Sequence, residues 1–341
     1  MPKMTMAVQS DRVPVTPSVS DRTDTRTILI TGAAGNLGSR LATHLLETEH
    51  RLRLMVHRTA LPEHLQDAAR VEVVTADLAR PETLVNAVTG VDVVVHFAGK
   101  LFAPRPERFL PETNTVWFSN LTDAAIEAGV GRLILSSFPH VEGPTSPDAP
   151  ATGRIDRAPI SVHAKTRLAE ERLLLERTQG TCTTPVILRF GMIYGRGILM
   201  IEAGRWLAQR RMLAVWKDPT WYHLLSTIDY LRATEAAALE PGVQGIYHVG
   251  DETPVTLQEF LDRACEVWGV RRPRRVPVWT VYGAAQLCEL YGLVFGAVSP
   301  LTKDFITIGR VSHFGDISRM RRELLPELTH PSLASGLSTL L

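Results

Sequence analysis

The segment Thr27-Ile-Leu-Ile-Thr31 runs straight into Gly32-Ala33-Ala34-Gly35-Asn36-Leu37-Gly38 and then into an amphipathic stretch with Leu37, Leu41 and Leu45 on one face. Glycines at that spacing between a strand and a helix have separate duties: Gly32 makes the tight turn, Gly35 lets backbone approach a pyrophosphate, and Gly38 lets the helix pack close to the strand. The first N–H groups of the helix have no partner within it and receive the phosphate charge. The loop, with Gly32, Ala34, Gly35, Asn36, Leu37 and Gly38 as its contact residues, is therefore read as a dinucleotide-binding turn. About twenty positions further on, where an acid would hold the ribose hydroxyls of NAD, the chain reads Val56-His57-Arg58, and no acid follows before Glu63. The planar fork of Arg58 suits a 2′-phosphate, so NADP(H) is expected in preference to NAD(H).

Such a turn needs a parallel sheet behind it, and the chain supplies one. β-Branched or apolar runs at Thr27–Thr31, Leu52–Val56, Val71–Val74, Val91–Val95, Leu133–Leu135 and Val186–Leu188 alternate with amphipathic stretches such as Leu84–Val88 and Thr113–Ala128. Apolar strands alternating with helices predict an α/β fold, a Rossmann-type doubly wound parallel sheet covered on both faces. Beyond residue 190 the pattern becomes irregular, with Trp206, Trp216 and Trp221 among prolines. The expected organisation is a disordered tail over residues 1–25, a dinucleotide-binding domain over 26–190 with later segments returning to it, and a smaller substrate-binding cap over 191–341.

Bulk properties narrow the partners. A net charge of +1 over 341 residues provides no field for nucleic acid, so a small-molecule substrate is expected. Cys182, Cys265 and Cys288 are an odd, widely spaced set that argues against disulfides and structural zinc and for the cytoplasm. No His, Cys or carboxylate cluster has metal-ligand spacing. Val276–Pro300 carries the single charge Glu289 and is the one stretch that raises membrane association. Pro277, Gly283, Gly292 and Gly296 interrupt it, so it reads instead as a buried or substrate-lining helix.

Beyond the glycine turn, several motifs follow in order: Asp77-Leu78, His96-Phe97-Ala98-Gly99, Asn114 and Asn120, Ser136-Ser137, Lys165, Leu188-Arg-Phe-Gly-Met-Ile-Tyr-Gly195 and Ile228-Asp229. With them the sequence resembles the extended (atypical) short-chain dehydrogenase/reductase family, NAD-dependent epimerase/dehydratase-like. The ending, Pro300–Phe305 through Ser312–Ile317, is similar to its 3β-hydroxysteroid dehydrogenase branch. The resemblance implies that Asp77 and Leu78 contact the adenine, that Phe97, Ala98, Gly99 and Asn114 line the cofactor's other end, and that Lys165 holds the nicotinamide ribose. It also leads one to expect a homodimer through Thr113–Ala128 and Val162–Arg177.

The family's catalytic tyrosine lies four residues before its lysine, on the same helical face, where the ammonium favours proton transfer by the phenol. Here Ser161-Val-His-Ala-Lys165 keeps the spacing and loses the phenol. Counted from Val141-Glu142-Gly143, the family's second hydroxyl falls on Phe138, leaving Ser137 one residue early and Ser136 two. The expected catalytic set is Lys165, Ser161, Ser137 and Glu142. His140 lies beside Glu142 in the same loop, Tyr194 is expected in the loop after the sixth strand, and Tyr222 and His223 could reach in from the cap. His163 reads as a surface residue facing away from Ser161 and Lys165. The leading expectation is an NADP(H)-dependent oxidoreductase acting on a carbonyl or hydroxyl of a bulky, fairly apolar molecule. A non-redox isomerase, cyclase or lyase using the same pocket, and a decayed nucleotide-sensing regulator, are the alternatives.

Overall fold

The computed structural model describes residues 25–99, 105–295 and 301–341; the N-terminal tail up to residue 24 and the last residues of the 276–300 stretch lie outside them. Seven strands form one parallel sheet: β1 (Thr27–Thr31), β2 (Arg51–Val56), β3 (Val71–Thr75), β4 (Val93–His96), β5 (Arg132–Ser137), β6 (Thr184–Phe190) and β7 (Gly245–Val249). Their spatial order is 3-2-1-4-5-6-7. The winding reverses between β1 and β4, and in such a sheet the ligand crevice opens beyond the carboxyl ends of the strands at that point.

The period of two along each strand sorts its side chains between two cores. Ile28 and Ile30 join Leu41, Leu45, Leu52, Leu54, Val93 and Val95 on one face. Leu29 faces the opposite side with Leu84, Val94, Phe118, Leu121, Leu133 and Leu135. Late segments return to the first core: Tyr230, Ala233 and Ala237 from the helix Thr227–Leu239, Tyr247 and Val249 from β7, and Met320, Leu324 and Leu325. Among the described residues the other late strands form three short pairs. Met192–Tyr194 pairs with Leu224–Ser226, Trp221–Tyr222 with Val255–Thr256, and Ala214–Trp216 with Arg274–Val276.

Two elements differ from the sequence expectation. The run 113–128 is not one α-helix: a π-helical turn, Pro111–Val116, precedes the α-helix Trp117–Glu127. The 276–300 stretch forms a helix over Val278–Phe295, but it is neither buried nor part of the cavity described below. It packs against Ala214–Trp216 and the helix Lys303–Gly309, while Trp279, Leu287, Leu290 and Val294 stay exposed. Its apolar residues run around the helix instead of forming a stripe, so one packing face leaves the others uncovered. Among the described residues, no helix is long and apolar enough to cross a membrane.

Candidate active site

At the glycine turn, backbone lies where side chains would otherwise be. Gly32 has φ +69°, and a Cβ there would sit 2.7 Å from the Ala98 nitrogen. A Cβ on Gly38 would lie 2.3 Å from the Gly32 carbonyl oxygen, and the Gly35 N–H donates to that oxygen at 2.8 Å. The helix Asn36–Leu45 begins at Gly35 with no side-chain cap and no acid in its first turn, so its leading N–H groups suit an anionic group. This cradle fits a dinucleotide pyrophosphate. Asn36 and Leu37 brace the turn: the Asn36 Nδ2 donates to the Gly197 carbonyl at 2.9 Å, its Oδ1 accepts from the Leu199 N–H, and the Leu37 carbonyl accepts from the Tyr230 hydroxyl. Ala34 packs on the core beside them.

The residues after β4 lie against this turn. The Phe97 N–H donates to the Thr31 carbonyl at 3.2 Å, the Ala98 N–H to the Thr31 hydroxyl at 3.3 Å, and Gly99 is exposed. Asn114 is buried in the π-helical turn, where its Nδ2 donates to the Thr166 hydroxyl at 3.1 Å and ties that turn to the helix Val162–Arg177. At the other end of the crevice, Arg58 is exposed just past β2. Asp77, just past the neighbouring β3, has Oδ2 3.5 Å from the His57 Nε2 and accepts from the Ala79 N–H at 3.0 Å. The Leu78 carbonyl is held by the Asn120 amide at 2.8 Å.

The expected catalytic residues do not assemble into one group. Ser161 is the cap of the helix Val162–Arg177 and not a member of its face: its backbone is extended, and its hydroxyl accepts from the Ala164 N–H at 3.1 Å. That use of the oxygen is what a serine at this position does best. Ser161 lines a small cavity of about 40 Å³ with Pro159, Ala164 and Ile308. Lys165 is exposed. Ser137 is buried and its hydroxyl donates to Glu171 at 2.5 Å.

Glu142 belongs to a buried ion cluster. The fully buried Arg189 pairs with Glu142 and, at 2.5 Å, with Glu171, and His248 lies 3.1 Å from Glu142. Burial by itself would push the Glu142 carboxyl up, but the His248 hydrogen bond and the Arg189 charge outweigh it and hold the pKa below the ordinary carboxylate range. The N–H groups of Gly153 and Thr152 also donate to it, so its acceptor capacity is committed to the protein.

Tyr194 ends a strand and is wholly buried, instead of occupying a loop. Its hydroxyl donates to the Asp251 Oδ2 at 3.2 Å, while the buried Asp251 Oδ1 has no partner among the described residues. Burial pushes the Asp251 carboxyl up to about 7, and the Tyr194 hydrogen bond offsets part of that rise. The fold thus keeps a proton that the unfolded chain releases near its ordinary value of 3.8, so stability falls as pH rises between those two values. Asp251→Asn removes this penalty. Its stability relative to the parent protein is expected to climb by on the order of 2–4 kcal/mol between about pH 4 and pH 7 in urea denaturation; a difference that stays flat or shrinks would refute a proton-bearing Asp251.

Past the ends of β5 and β6 lies an apolar cavity of about 190 Å³, lined by Phe138, Phe190, Met192, Met200, Tyr222 and Phe305. Phe138 thus reaches the cavity from the position where the family has its second hydroxyl. Three imidazoles share the wall: His140, His163 and His313. The His140 and His313 rings lie 4.0 Å apart between centroids. Burial pulls His140 down to about 4 and His313 well below its ordinary range, so both are neutral near pH 7. His163 departs from the sequence expectation, being buried against the cavity and not on the surface. Its Nδ1 lies 2.5 Å from the Asp304 Oδ2, and its buried Nε2 has no partner among the described residues. Sequence reasoning did not single out Asp304; 141 positions separate it from His163, and no local pattern joins them.

Comparison with known proteins shows what the chain is similar to. The sequence model of an NAD(P)H-binding family matches residues 32–192. A 2-alkyl-3-oxoalkanoate reductase of Stenotrophomonas maltophilia is 29% identical over 278 residues, covering 77% of this chain and 82% of that protein. A decarboxylating sterol-4-alpha-carboxylate 3-dehydrogenase of Mus musculus is 23% identical, over 80% of this chain and 76% of its own. Among solved structures, the UDP-glucose 4-epimerase of Thermotoga maritima superposes with a TM-score of 0.72 at 17% identity, over 92% of this chain and 97% of that one, a likeness of fold.

Proposed function

We propose that the chain is a member of the extended short-chain dehydrogenase/reductase family and, within it, an NADP(H)-dependent oxidoreductase for a carbonyl or hydroxyl group on a bulky, largely apolar small molecule; its similarity to an NAD(P)H-binding family model and to named reductases and dehydrogenases supports this reading. The cavity past β5 and β6 carries this reading: its wall of aromatic and thioether side chains favours burial of hydrocarbon. The relatives named for an oxoalkanoate and a sterol carboxylate are consistent with such a substrate.

The roles assigned to this chain's residues follow the crevice. Gly32, Ala34, Gly35, Asn36, Leu37 and Gly38 form the pyrophosphate turn, Arg58 pairs with the 2′-phosphate, and Asp77 and Leu78 border the adenine. Phe97, Ala98, Gly99 and Asn114 border the nicotinamide end, and Lys165 hydrogen-bonds its ribose. When bound, the reduced nicotinamide supplies a hydride. Ser161, Ser137 and Glu142 are assigned supporting roles, the first as a helix cap and the others as members of the buried ion cluster.

Titration with NADPH and NADH, followed by tryptophan fluorescence, tests the cofactor half. NADPH is expected to bind more tightly, and Arg58→Ala to weaken NADPH by about 10–100-fold, the value of one or two charge-assisted hydrogen bonds, while NADH changes little. Failure of both nucleotides to bind at millimolar concentration would overturn the reading. The substrate half is tested by loss of NADPH absorbance with a panel of ketones bearing long alkyl, aryl or fused-ring groups.

A further inference from the structure

We propose that His163, oriented by Asp304, is the proton donor and acceptor for the substrate oxygen, in place of the absent phenol. This rests on the carbonyl/hydroxyl reading above and adds the residue that completes its chemistry. Reduction of a carbonyl requires a hydride on carbon and a proton on oxygen. The proton must come from a group that reaches the cavity and has an atom free to give it. Ser161 lies on the separate small cavity with its oxygen engaged by the Ala164 N–H, and Ser137 donates inward to Glu171.

His163 meets both requirements. It lines the apolar cavity from the first turn of the helix Val162–Arg177, and Asp304 approaches from the first turn of the helix Lys303–Gly309. The Asp304 carboxylate takes the His163 Nδ1 on Oδ2 and the Val162 N–H on Oδ1, which fixes the ring against the helix start. Nε2 is then the ring's only uncommitted polar atom, buried and without a partner among the described residues, in a largely apolar wall. An imidazole held by a carboxylate on one nitrogen and bare on the other is the arrangement of a general acid–base, with the carboxylate setting tautomer and orientation.

The other ionisable groups facing His163 do not compete for the role. His140, from the loop after β5, lines the same cavity, but among the described residues neither of its ring nitrogens meets a carboxylate that would orient it; the His313 Nδ1 lies 3.4 Å from the Val311 carbonyl, and the Tyr222 hydroxyl donates to the Gly309 carbonyl at 2.7 Å. Lys165, on the same helix, is exposed. The step balances: carbon accepts the hydride, oxygen takes the proton from Nε2, the carbonyl π bond opens to a carbinol, and the imidazolium becomes neutral imidazole. Solvent returns the proton between turnovers, and in oxidation each transfer runs backwards.

The test measures kcat, KM and NADPH affinity for the parent protein, His163→Gln, His163→Ala and Asp304→Asn, with a ketone that the parent reduces. His163→Gln is expected to lose about 10²–10³-fold in kcat, the range for removal of a general acid, with NADPH affinity within about twofold of the parent. The alkaline fall of kcat/KM for reduction should flatten in that variant. Added imidazole should restore part of the His163→Ala rate and leave the parent unaffected. Asp304→Asn should lower kcat more than it changes KM and should displace the pH profile, because Asp304 is a positioning residue whose charge acts through the ring. If the parent turns over and His163→Gln and His163→Ala keep kcat within about threefold, the dyad is refuted while the oxidoreductase reading stands. If the parent binds NADPH but transfers no hydride to or from any substrate in the panel, the oxidoreductase reading fails and the dyad's role fails with it.

Discussion

Arg189→Met is expected to lower stability by about 3–5 kcal/mol, the usual result of stripping the counter-ion from buried charge. Arg189 has no solvent exposure, and its guanidinium touches Glu142, both oxygens of Glu171 and the Arg154 carbonyl. Methionine fills much of the volume but leaves two buried carboxylates whose remaining partners among the described residues are His248, Ser137 and two backbone N–H groups. They must then take up protons or pull the surrounding elements apart. The cluster ties the end of β5, its following loop, β6, β7 and the helix Val162–Arg177 together, the elements that carry Phe138, His140 and His163 to the cavity. Urea denaturation followed by circular dichroism gives the cost. A double-mutant cycle with Glu171→Gln gives its origin, because the pair should be less destabilised than the sum of the two single changes. A variant as stable as the parent would refute the view that this charge organises the site.

The glycine turn and the strand ends beside it were legible in the sequence because these parts are local. A strand, seven residues of turn and a helix are contiguous, and Arg58, Asp77 and Phe97-Ala98-Gly99 each follow a strand whose period is readable. The parallel sheet was legible for the same reason, since apolar runs alternating with amphipathic segments have few other ways to bury themselves. Polar side chains are different: their work depends on which distant atom they meet. Glu142 meets Arg189 from 47 positions away and His248 from 106, so a loop carboxylate that could be a base becomes part of an ion cluster. Helical spacing set His163 opposite Ser161 and Lys165, on the supposition that the side of the helix away from the lysine is solvent. The elements near Asp304 and Phe305 cover that side and turn it into cavity wall. Ser161 shows a third kind of ambiguity, because a serine at a helix start is equally suited to a cap, and only the backbone conformation decides. The helix Val278–Phe295 failed in the opposite direction: composition announces apolar residues, but only the neighbours determine how many are covered.

Gly38→Ala is expected to cost at least roughly a hundredfold in NADPH affinity, the scale of an ångström-sized displacement in a positioning element. The added methyl would meet the Gly32 oxygen at 2.3 Å, the Gly32 carbonyl carbon at 2.9 Å and the Ala33 Cα at 3.1 Å. All three are backbone, so no side chain can rotate out of the way. Either the helix Asn36–Leu45 lifts from the turn, taking its first N–H groups with it, or Gly32 moves. Gly32 is itself held by its φ of +69° and by Ala98 behind it. The same crowding should reduce stability by about 1–3 kcal/mol, as overpacking does elsewhere. Gly35→Ala separates binding from folding: its Cβ would meet only the Gly32 oxygen, at 3.0 Å, and the position is exposed. It should therefore cost far less stability than Gly38→Ala while still placing a methyl group where the pyrophosphate must approach. Nucleotide titration and thermal unfolding on both variants distinguish the two duties. A Gly38→Ala protein that holds NADPH within about threefold of the parent would mean that the phosphate is not received at this helix start.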